Sequence, residues 1–110
     1  AGKAIAATLA TLPKRPTHLI CGMLNTKDVG GFMAPLADHA DSLTACSIPG
    51  EANTLPAEVT AKAAQDAGIA ATTAEDVQTA MDAITAAHPN ARILICGSLY
   101  FAGHVMRENL

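Results

Sequence analysis

The chain has very few aromatic residues: among 110 residues there are one tyrosine, two phenylalanines and no tryptophan. Half of the residues are nevertheless apolar, and alanine dominates among them. A core must therefore be formed by closely approaching helices and strands, with leucine, isoleucine, valine and methionine filling the space between them. The length is sufficient for one small domain with a real core.

Basic residues are also scarce. Seven lysines and arginines face ten acidic residues, the formal net charge is -3, and only Lys14 and Arg15 are adjacent. Nucleic acids and anionic membrane surfaces bind clustered basic residues, so the composition argues against both as partners. No apolar run approaches the roughly 20 residues needed to cross a bilayer.

Cysteines are few, and their number is odd: Cys21, Cys46 and Cys96. Three cysteines without close pairs fit neither a disulfide framework nor a zinc site. Each lies within or at the end of an apolar strand-like run, so we expect buried thiols that pack as small apolar side chains. Reduced, buried thiols are typical of a reducing compartment, and we expect a cytoplasmic protein.

The signatures of a complete active site are absent as well. The sequence contains no G-x-x-x-x-G-K-[ST] loop to hold phosphates and no G-x-G-x-x-G after a strand. It has no G-x-S-x-G elbow and no cluster of histidine, cysteine and aspartate with the spacing of metal ligands. We therefore expect no metal or cofactor to be held by this chain alone.

The sequence does contain a regular alternation of strands and helices. An opening helix, with Ile5, Leu9 and Leu12 at helical spacing, is followed four times by a strand and a helix. The predicted strands are residues 17–21, 42–48, 68–72 and 92–96, and the later helices are 29–40, 56–67, a segment ending at Pro89, and 98–107. This alternation requires crossover connections, so the predicted fold is a Rossmann-like three-layer αβα sandwich with a mainly parallel sheet.

Local patterns predict where some of these helices begin and which faces they bury. Thr72 and Glu75 have the spacing of a capping box before the helix that carries Val77, Met81 and Ile84 on its core face. The second helix places Phe32, Met33 and Leu36 on one face. Pro56 lies in the first turn of the third helix, and Gly68 stands just past its end.

The chain begins almost directly with a helix, with no initiator methionine and no strand that would connect this helix to the sheet. We therefore expect residues 1–110 to be one domain of a longer protein whose first strand lies upstream. A natural start near Ala1 would instead favour an autonomous Rossmann-like module that binds a ligand or regulates another protein without catalysis.

Candidate binding residues stand at the carboxyl ends of the predicted strands, where open α/β sheets bind ligands. Lys27 follows the first strand and could meet a phosphate or carboxylate as a point charge. Asp28 immediately precedes a helix, a position that equally suits N-capping. Ser98 follows the last strand, and its hydroxyl could bind a carboxylate near the helix N-terminus or cap that helix. Tyr100 could reach a ligand or simply pack.

The histidines are separated in sequence, and none has a local partner that would make it a catalytic base. His18 starts a predicted strand, whereas His39 and His88 end predicted helices, where a favourable contact with the helix dipole suffices. Glu51, in the loop after the second strand, is expected to be a solvated carboxylate.

Three segments together resemble the C-terminal domain of folylpolyglutamate synthase, including the bifunctional dihydrofolate synthase/folylpolyglutamate synthase, in the Mur ligase superfamily. They are residues 19–28 (LICGMLNTKD), 47–57 (SIPGEANTLPA) and 93–105 (ILICGSLYFAGHV). The first matches the pattern G-M-L-x-x-K-D. The third matches the more specific ending G-S-L-Y-x-x-G-x-V. The resemblance extends over nearly the whole chain in order and spacing.

The resemblance implies a parent protein that uses ATP and Mg²⁺ to join L-glutamate to a folate or to dihydropteroate through an acyl phosphate. It implies an N-terminal P-loop domain as partner, which binds ATP and magnesium and over which the present domain closes. Ser98 would contribute to the glutamate site, and Lys27 and Asp28 would face the cleft between the domains. His104 stands where the family often has glutamate, and we assign it no role.

The chain lacks both the P-loop domain and the family's D-x-x-H-N-P motif, so the isolated chain is expected to be inactive. A Mur-type ligase that acts on cell-wall precursors is another alternative, which the G-S-L-Y ending disfavours. The choice between a dihydrofolate synthase, a folylpolyglutamate synthase and an enzyme with both activities depends largely on the domain outside this chain.

Overall fold

Four parallel strands form the sheet at the centre of the computed structural model, which describes residues 2–24, 28–48, 50 and 52–97. The strands are β1 (Thr17–Gly22), β2 (Ser42–Ala45), β3 (Ala71–Thr73) and β4 (Arg92–Gly97). Their order across the sheet is β3-β2-β1-β4, and every neighbouring pair is parallel.

Helices cover both faces of this sheet. They are α1 (Gly2–Thr11), α2 (Val29–Met33), α3 (Ala57–Asp66) and α4 (Val77–Ala87), and a 3₁₀ turn (Ala34–Leu36) follows α2. Helices α1, α2 and α3 pack on one face, and α4 packs on the other. This arrangement confirms the predicted three-layer sandwich with a parallel sheet.

The central strand β1 shows why the sequence forms a sheet buried on both sides. All six of its residues are buried. Leu19 and Cys21 contribute to the core beneath α1, α2 and α3, whereas Ile20, between them, contributes to the core beneath α4. A strand that must fill two cores reads as a continuous apolar run, because alternate side chains point to opposite faces.

The path of the chain creates one reversal in the sheet. From β1 the chain moves outward to β2 and then to β3, with its crossover helices on the first face. It then returns through α4, on the opposite face, to β4 on the other side of β1. The direction of strand addition therefore reverses between β1 and β4.

The second helix is shorter than predicted. The α-helix ends at Met33 and continues only as the 3₁₀ turn that contains Pro35. Proline has no N–H to donate and its ring clashes with the carbonyl four residues earlier, so the α-helical ladder cannot pass through it. The expected apolar face is nevertheless present, because Phe32, Met33 and Leu36 are all buried.

The third strand begins later than predicted, because the preceding residues complete the end of α3. Gly68 has a φ of +97°, and its N–H donates to the carbonyl of Gln65. The N–H of Ile69 donates to the carbonyl of Ala64. These two bonds make a Schellman motif with a glycine in the left-handed conformation, and the buried Ile69 supplies its apolar contact.

The predicted capping box at the start of α4 is wrong. Thr72 lies in β3, paired with Thr44 of β2, and so does not cap a helix. The N-cap is Asp76, whose carboxylate accepts a hydrogen bond of 2.7 Å from the N–H of Thr79. That bond is the main reason why the pKa of Asp76 lies below its usual value.

Other element boundaries differ by a few residues. The second strand ends at Ala45 rather than Ile48, whose N–H bonds the side chain of Thr54 instead of a strand. Leu12 lies beyond the end of α1 and is 42% exposed, so it does not continue the apolar face of that helix. The final predicted helix, residues 98–107, lies outside the described residues. Within the described ranges, no helix combines the length and the apolar character needed to cross a membrane.

Candidate functional site

The reversal between β1 and β4 is where this fold type places its ligands. The two strands pair in register along their whole length, from Thr17 with Arg92 to Gly22 with Gly97. Both strands therefore end side by side at the same edge of the sheet. In open α/β sheets the carboxyl ends of strands at such a reversal form the ligand-binding crevice.

The predicted site residues follow these two strand ends in the sequence. Lys27 and Asp28 follow Gly22, while Ser98 and Tyr100 follow Gly97. The register of β1 and β4 brings together the two strand ends from which these segments continue, Gly22 and Gly97. Lys27, Ser98 and Tyr100 themselves lie outside the described residues, so their binding roles stay predictions.

Asp28 is the one predicted site residue that the structure describes. It is exposed and forms the N-cap of α2, where its Oδ1 accepts a hydrogen bond of 3.1 Å from the N–H of Gly31. This confirms the capping role expected from its position. Its contact with a ligand stays a prediction.

A glycine allows this cap to form. A Cβ atom on Gly31 would overlap Oδ2 of Asp28. On the neighbouring Gly30 the nearest atom of Asp28 would be 4.0 Å away, an ordinary contact. A side chain at position 31 would therefore displace the carboxylate of Asp28 from the start of α2.

The loops that follow β1 and β2 are joined to each other. The N–H of Leu55 donates to the carbonyl of Met23 at 2.8 Å, and Leu24 forms a bridge with Thr54. The hydroxyl of Thr54 accepts from the N–H of Ile48 at 2.8 Å and donates to the carbonyl of Leu55. These contacts make one connected rim beside the end of β1. Nothing in the local sequence distinguished Thr54 from other loop threonines.

A cavity of about 360 Å³ opens at the carboxyl ends of β2 and β3, next to the first turn of α3. Its walls carry hydroxyls, carboxylates and small apolar groups, contributed by Ser47, Ala57, Glu58, Thr73, Ala74 and Glu75. Two carboxylates make this cavity suited to hydrogen-bond donors or a cation rather than to an anion. Glu75, expected to cap a helix, lines this cavity instead, and only the three-dimensional fold reveals it.

A second cavity, of about 380 Å³, lies at the opposite, amino-terminal edge of the sheet. Its polar groups hold separate chain segments together. Arg15 donates to the carbonyl of Asn90 and Arg92 to that of Pro13, each at 2.7 Å, and Asp41 accepts from the N–H of Thr17 at 2.7 Å. Both guanidinium groups thus bind backbone carbonyls, and these bonds join the segment that precedes β1 to the segment that precedes β4.

His18 lies at this same amino-terminal edge and is only 6% exposed. Its Nδ1 shares a hydrogen bond with the hydroxyl of Ser42, whereas its Nε2 is buried without a partner. Its ring stacks on that of His88 with the centroids 4.4 Å apart. Burial, followed by the nearby His88, lowers the pKa of His18, and the carboxylate of Asp41 opposes this only in part. The histidine that sequence analysis left without a partner thus has two.

Among the described residues, no three histidine, cysteine or carboxylate side chains come together in a way that could hold a metal ion.

The family described as the Mur ligase, glutamate ligase domain, matches residues 1–99.

The chain belongs to the Mur ligase glutamate ligase domain family. Since the match covers all of the described residues, it includes the two strand ends at the reversal of the sheet. No curated protein matches the sequence.

Solved structures similar to this Mur ligase domain are folylpolyglutamate synthases. Mycobacterium tuberculosis folylpolyglutamate synthase complexed with ADP and AMPPCP gives a TM-score of 0.83 at 31% identity, over 97% of this chain and 26% of that one. Its complex with ADP gives 0.81 at 27% identity, over 97% and 27%. E. coli FolC in complex with DHPP and ADP gives 0.79 at 25% identity, over 98% and 25%.

These matches confirm the resemblance and the fold predicted from the sequence. The chain spans about a quarter of the length of the synthases that it matches. The similar structures therefore contain, besides a domain of this kind, a much larger part to which the present chain has no counterpart.

Proposed function

We propose that this chain is the glutamate-binding domain of a longer ATP-dependent ligase, which joins L-glutamate to a folate or to dihydropteroate. One observation supports the proposal: Gly22 and Gly97, at which the two folate-ligase motifs continue from β1 and β4, stand side by side at one edge of the sheet. Family membership and the similarity to folylpolyglutamate synthases support the same function.

In this proposal the polar residues after the two strands bind the incoming amino acid. The hydroxyl of Ser98 donates to a carboxylate of glutamate, and the ammonium of Lys27 faces a carboxylate or phosphate across the cleft between domains. Tyr100 lines the same site. Asp28, whose carboxylate already accepts the N–H of Gly31, acts by fixing the segment that carries Lys27.

The proposed reaction has two steps. The acceptor carboxylate takes the γ-phosphoryl group of ATP, which gives an acyl phosphate and ADP. The amine of glutamate then attacks the acyl carbon, and phosphate leaves from the tetrahedral intermediate to give the amide. The acyl phosphate must be kept from water until the amine attacks. Closure of the domain that carries the amine excludes water from the acyl phosphate and aligns the amine with the acyl carbon.

ATP and Mg²⁺ are assigned in this proposal to an N-terminal P-loop domain of the parent protein. The described part of the present chain brings together no set of residues for a metal ion, and the sequence has no P-loop. The isolated chain should accordingly neither hydrolyse ATP nor ligate glutamate. ATP-dependent ligation by the isolated chain would refute this assignment.

The test is an assay of the full-length parent protein with labelled glutamate, with tetrahydrofolate and with dihydropteroate as acceptors. We expect ligation with at least one of them. In Ser98→Ala, the KM for glutamate should rise about tenfold or more, as expected for one lost hydrogen bond to a charged group, with a smaller change in the KM for ATP.

Ser47→Ala is the matched control, because Ser47 lines the cavity between β2 and β3 rather than following β1 or β4. If Ser47→Ala and not Ser98→Ala weakened the use of glutamate, the amino acid would bind in that cavity. Ligation of glutamate to neither acceptor by well-folded protein would refute the folate ligase. Activity on a cell-wall precursor would then indicate another Mur ligase. Ligand binding without any catalysis would indicate an autonomous Rossmann-like binding module.

A further inference from the structure

Two of the three cysteines stand directly opposite each other on neighbouring strands. Cys21 of β1 pairs in register with Cys96 of β4, one residue before the paired ends Gly22 and Gly97. Both side chains lie in the core beneath α1, α2 and α3, on the same face of the sheet. The two side chains therefore occupy directly neighbouring positions on one face of the strand pair.

We propose that Cys21 and Cys96 form a modification site, at which an intrachain disulfide is formed by reaction with a low-molecular-weight disulfide. Neighbouring strands lie about 4.7–4.9 Å apart. Cysteines that form disulfides have Cα atoms about 4.4–6.8 Å apart. Two residues paired in register with side chains on one face thus meet the distance requirement without a large movement of the backbone.

The reaction proceeds by two exchanges. The thiolate of one cysteine attacks a sulfur of the reagent and releases one equivalent of the reagent thiol, which leaves a mixed disulfide on the protein. The thiolate of the other cysteine attacks the protein sulfur of that mixed disulfide and releases the second equivalent. Overall, two protein thiols are oxidised to one disulfide, and the reagent disulfide is reduced to two thiols.

Burial controls the rate of this reaction. Cys21 is 0% and Cys96 3% exposed, and the neighbouring thiol of Cys96 together with burial raises the pKa of the Cys21 thiol. Within the described sheet, however, β4 bonds only to β1 and forms one edge. Local separation of such an edge strand exposes both thiols at once, so oxidation depends on that opening.

The third cysteine is excluded by its position in the sheet. Cys46 follows Ala45, which stands next to Cys21 on the other side of β1. Its side chain belongs to the core beneath α4, on the opposite face of the sheet. A bridge from Cys46 to Cys21 or Cys96 would have to pass through the sheet, so only the pair on one face can close.

The test uses the native chain, incubated at about pH 8 with 2-hydroxyethyl disulfide, blocked with an alkylating reagent and digested with trypsin. Each cysteine then lies on its own peptide: residues 15–27, 28–62 and 93–107. We expect residues 15–27 linked to residues 93–107 within one chain, with two thiols lost. The oxidised protein should also exchange the amide hydrogens of β4 more slowly than the reduced protein.

Variants and a denatured sample sharpen the outcome. Cys46→Ala should give the same link as the unaltered chain, whereas Cys21→Ala and Cys96→Ala should give only a mixed disulfide on the remaining partner. Oxidation of the denatured chain provides the reference in which all three pairings form. Native protein that gives a link to Cys46, only mixed disulfides, only links between chains, or no oxidation while the denatured chain reacts would overturn the proposal.

Discussion

Adjacent glycines at the start of α2 have different structural requirements. A Cβ on Gly31 would overlap the carboxylate of Asp28, whereas one on Gly30 would make only an ordinary contact. Gly31→Ala must therefore displace the cap, and we expect it to lower the free energy of unfolding by about 1–2 kcal/mol. Gly30→Ala should leave it unchanged or raise it by about 0.5 kcal/mol, because alanine favours helix over glycine.

Urea unfolding of Gly30→Ala and Gly31→Ala measures this difference in the free energy of unfolding. In the full-length parent, Gly31→Ala should also weaken the use of glutamate if Asp28 fixes the segment that carries Lys27. Equal stability of the two variants would show that the carboxylate of Asp28 does not lie against the backbone of Gly31.

The buried His18 predicts a dependence of stability on pH. Above a pH of about 6.5, the usual histidine pKa, the ring is neutral in both the folded and the unfolded chain. Below it, the unfolded chain takes up a proton that the folded chain resists, because burial and His88 lower the pKa of His18. The free energy of unfolding should therefore fall as the pH is lowered from about 6.5 to the lower pKa that His18 has in the folded chain. The fall should be at most about 1.4 kcal/mol per pH unit.

Urea unfolding between about pH 7.5 and 5 tests this dependence. His18→Leu should flatten it, and His88→Ala should reduce it by removing the neighbouring charge while His18 remains. His39→Gln is the control, since the ring contact joins His18 and His88 and the buried ring is that of His18. A pH dependence that is unchanged in both His18→Leu and His88→Ala would show that other groups cause it.

At the scale of single elements, the end of α3 depends on the left-handed conformation of Gly68. Nothing lies within 4 Å of a Cβ added there, so a substitution acts through backbone strain alone. We expect Gly68→Ala to lower the free energy of unfolding by about 1–2 kcal/mol. Gly68→Asn should lose less, because asparagine adopts this conformation more readily. If urea unfolding gave the same loss of free energy for Gly68→Ala and Gly68→Asn, backbone strain would not be the reason for the glycine.

The type and order of the elements could be read from the sequence because periodicity is a local property. Their ends could not always be read, because competing local signals overlap. The patterns Thr72-x-x-Glu75 and Asp76-x-x-Thr79 both suit the start of a helix. Thr72, in β3, pairs with Thr44, and α4 begins only at Val77, so Asp76 rather than Thr72 stands next to its first turn. That pairing joins distant parts of the chain.

The candidate site shows the same division. The polar residues after the strands can be seen in the sequence, but the sequence does not show that β4 lies beside β1 rather than beside β3, so that these two strands end together. The cavity that contains Ser47 and Glu75 and the ring contact between His18 and His88 likewise join residues from different elements. Neither feature could be predicted from the sequence, because the residues that meet in it are far apart along the chain.

For the whole molecule, the handedness of the crossovers indicates where a further strand would lie. Helices α2 and α3, on one face, connect strands that follow each other from β1 toward β3. Helix α1 packs on that same face and leads into β1. Because crossovers between parallel strands are right-handed, a parallel strand that preceded α1 in this sheet would lie on the side of β1 away from β2. Since β4 occupies the neighbouring position, that strand would lie beyond β4.

This placement predicts the behaviour of β4 in a longer parent protein. In the described sheet β4 pairs only with β1, so its outward amides lack strand partners. A strand upstream of α1 would bond them, and hydrogen exchange in residues 92–97 should slow by about tenfold or more in the parent relative to the 110-residue chain. Residues 42–45 of β2, which already pair on both sides, are the internal control and should change much less. Equal exchange of residues 92–97 in both proteins would place the upstream strand elsewhere, because a strand paired with β4 cannot leave those amides as accessible as before.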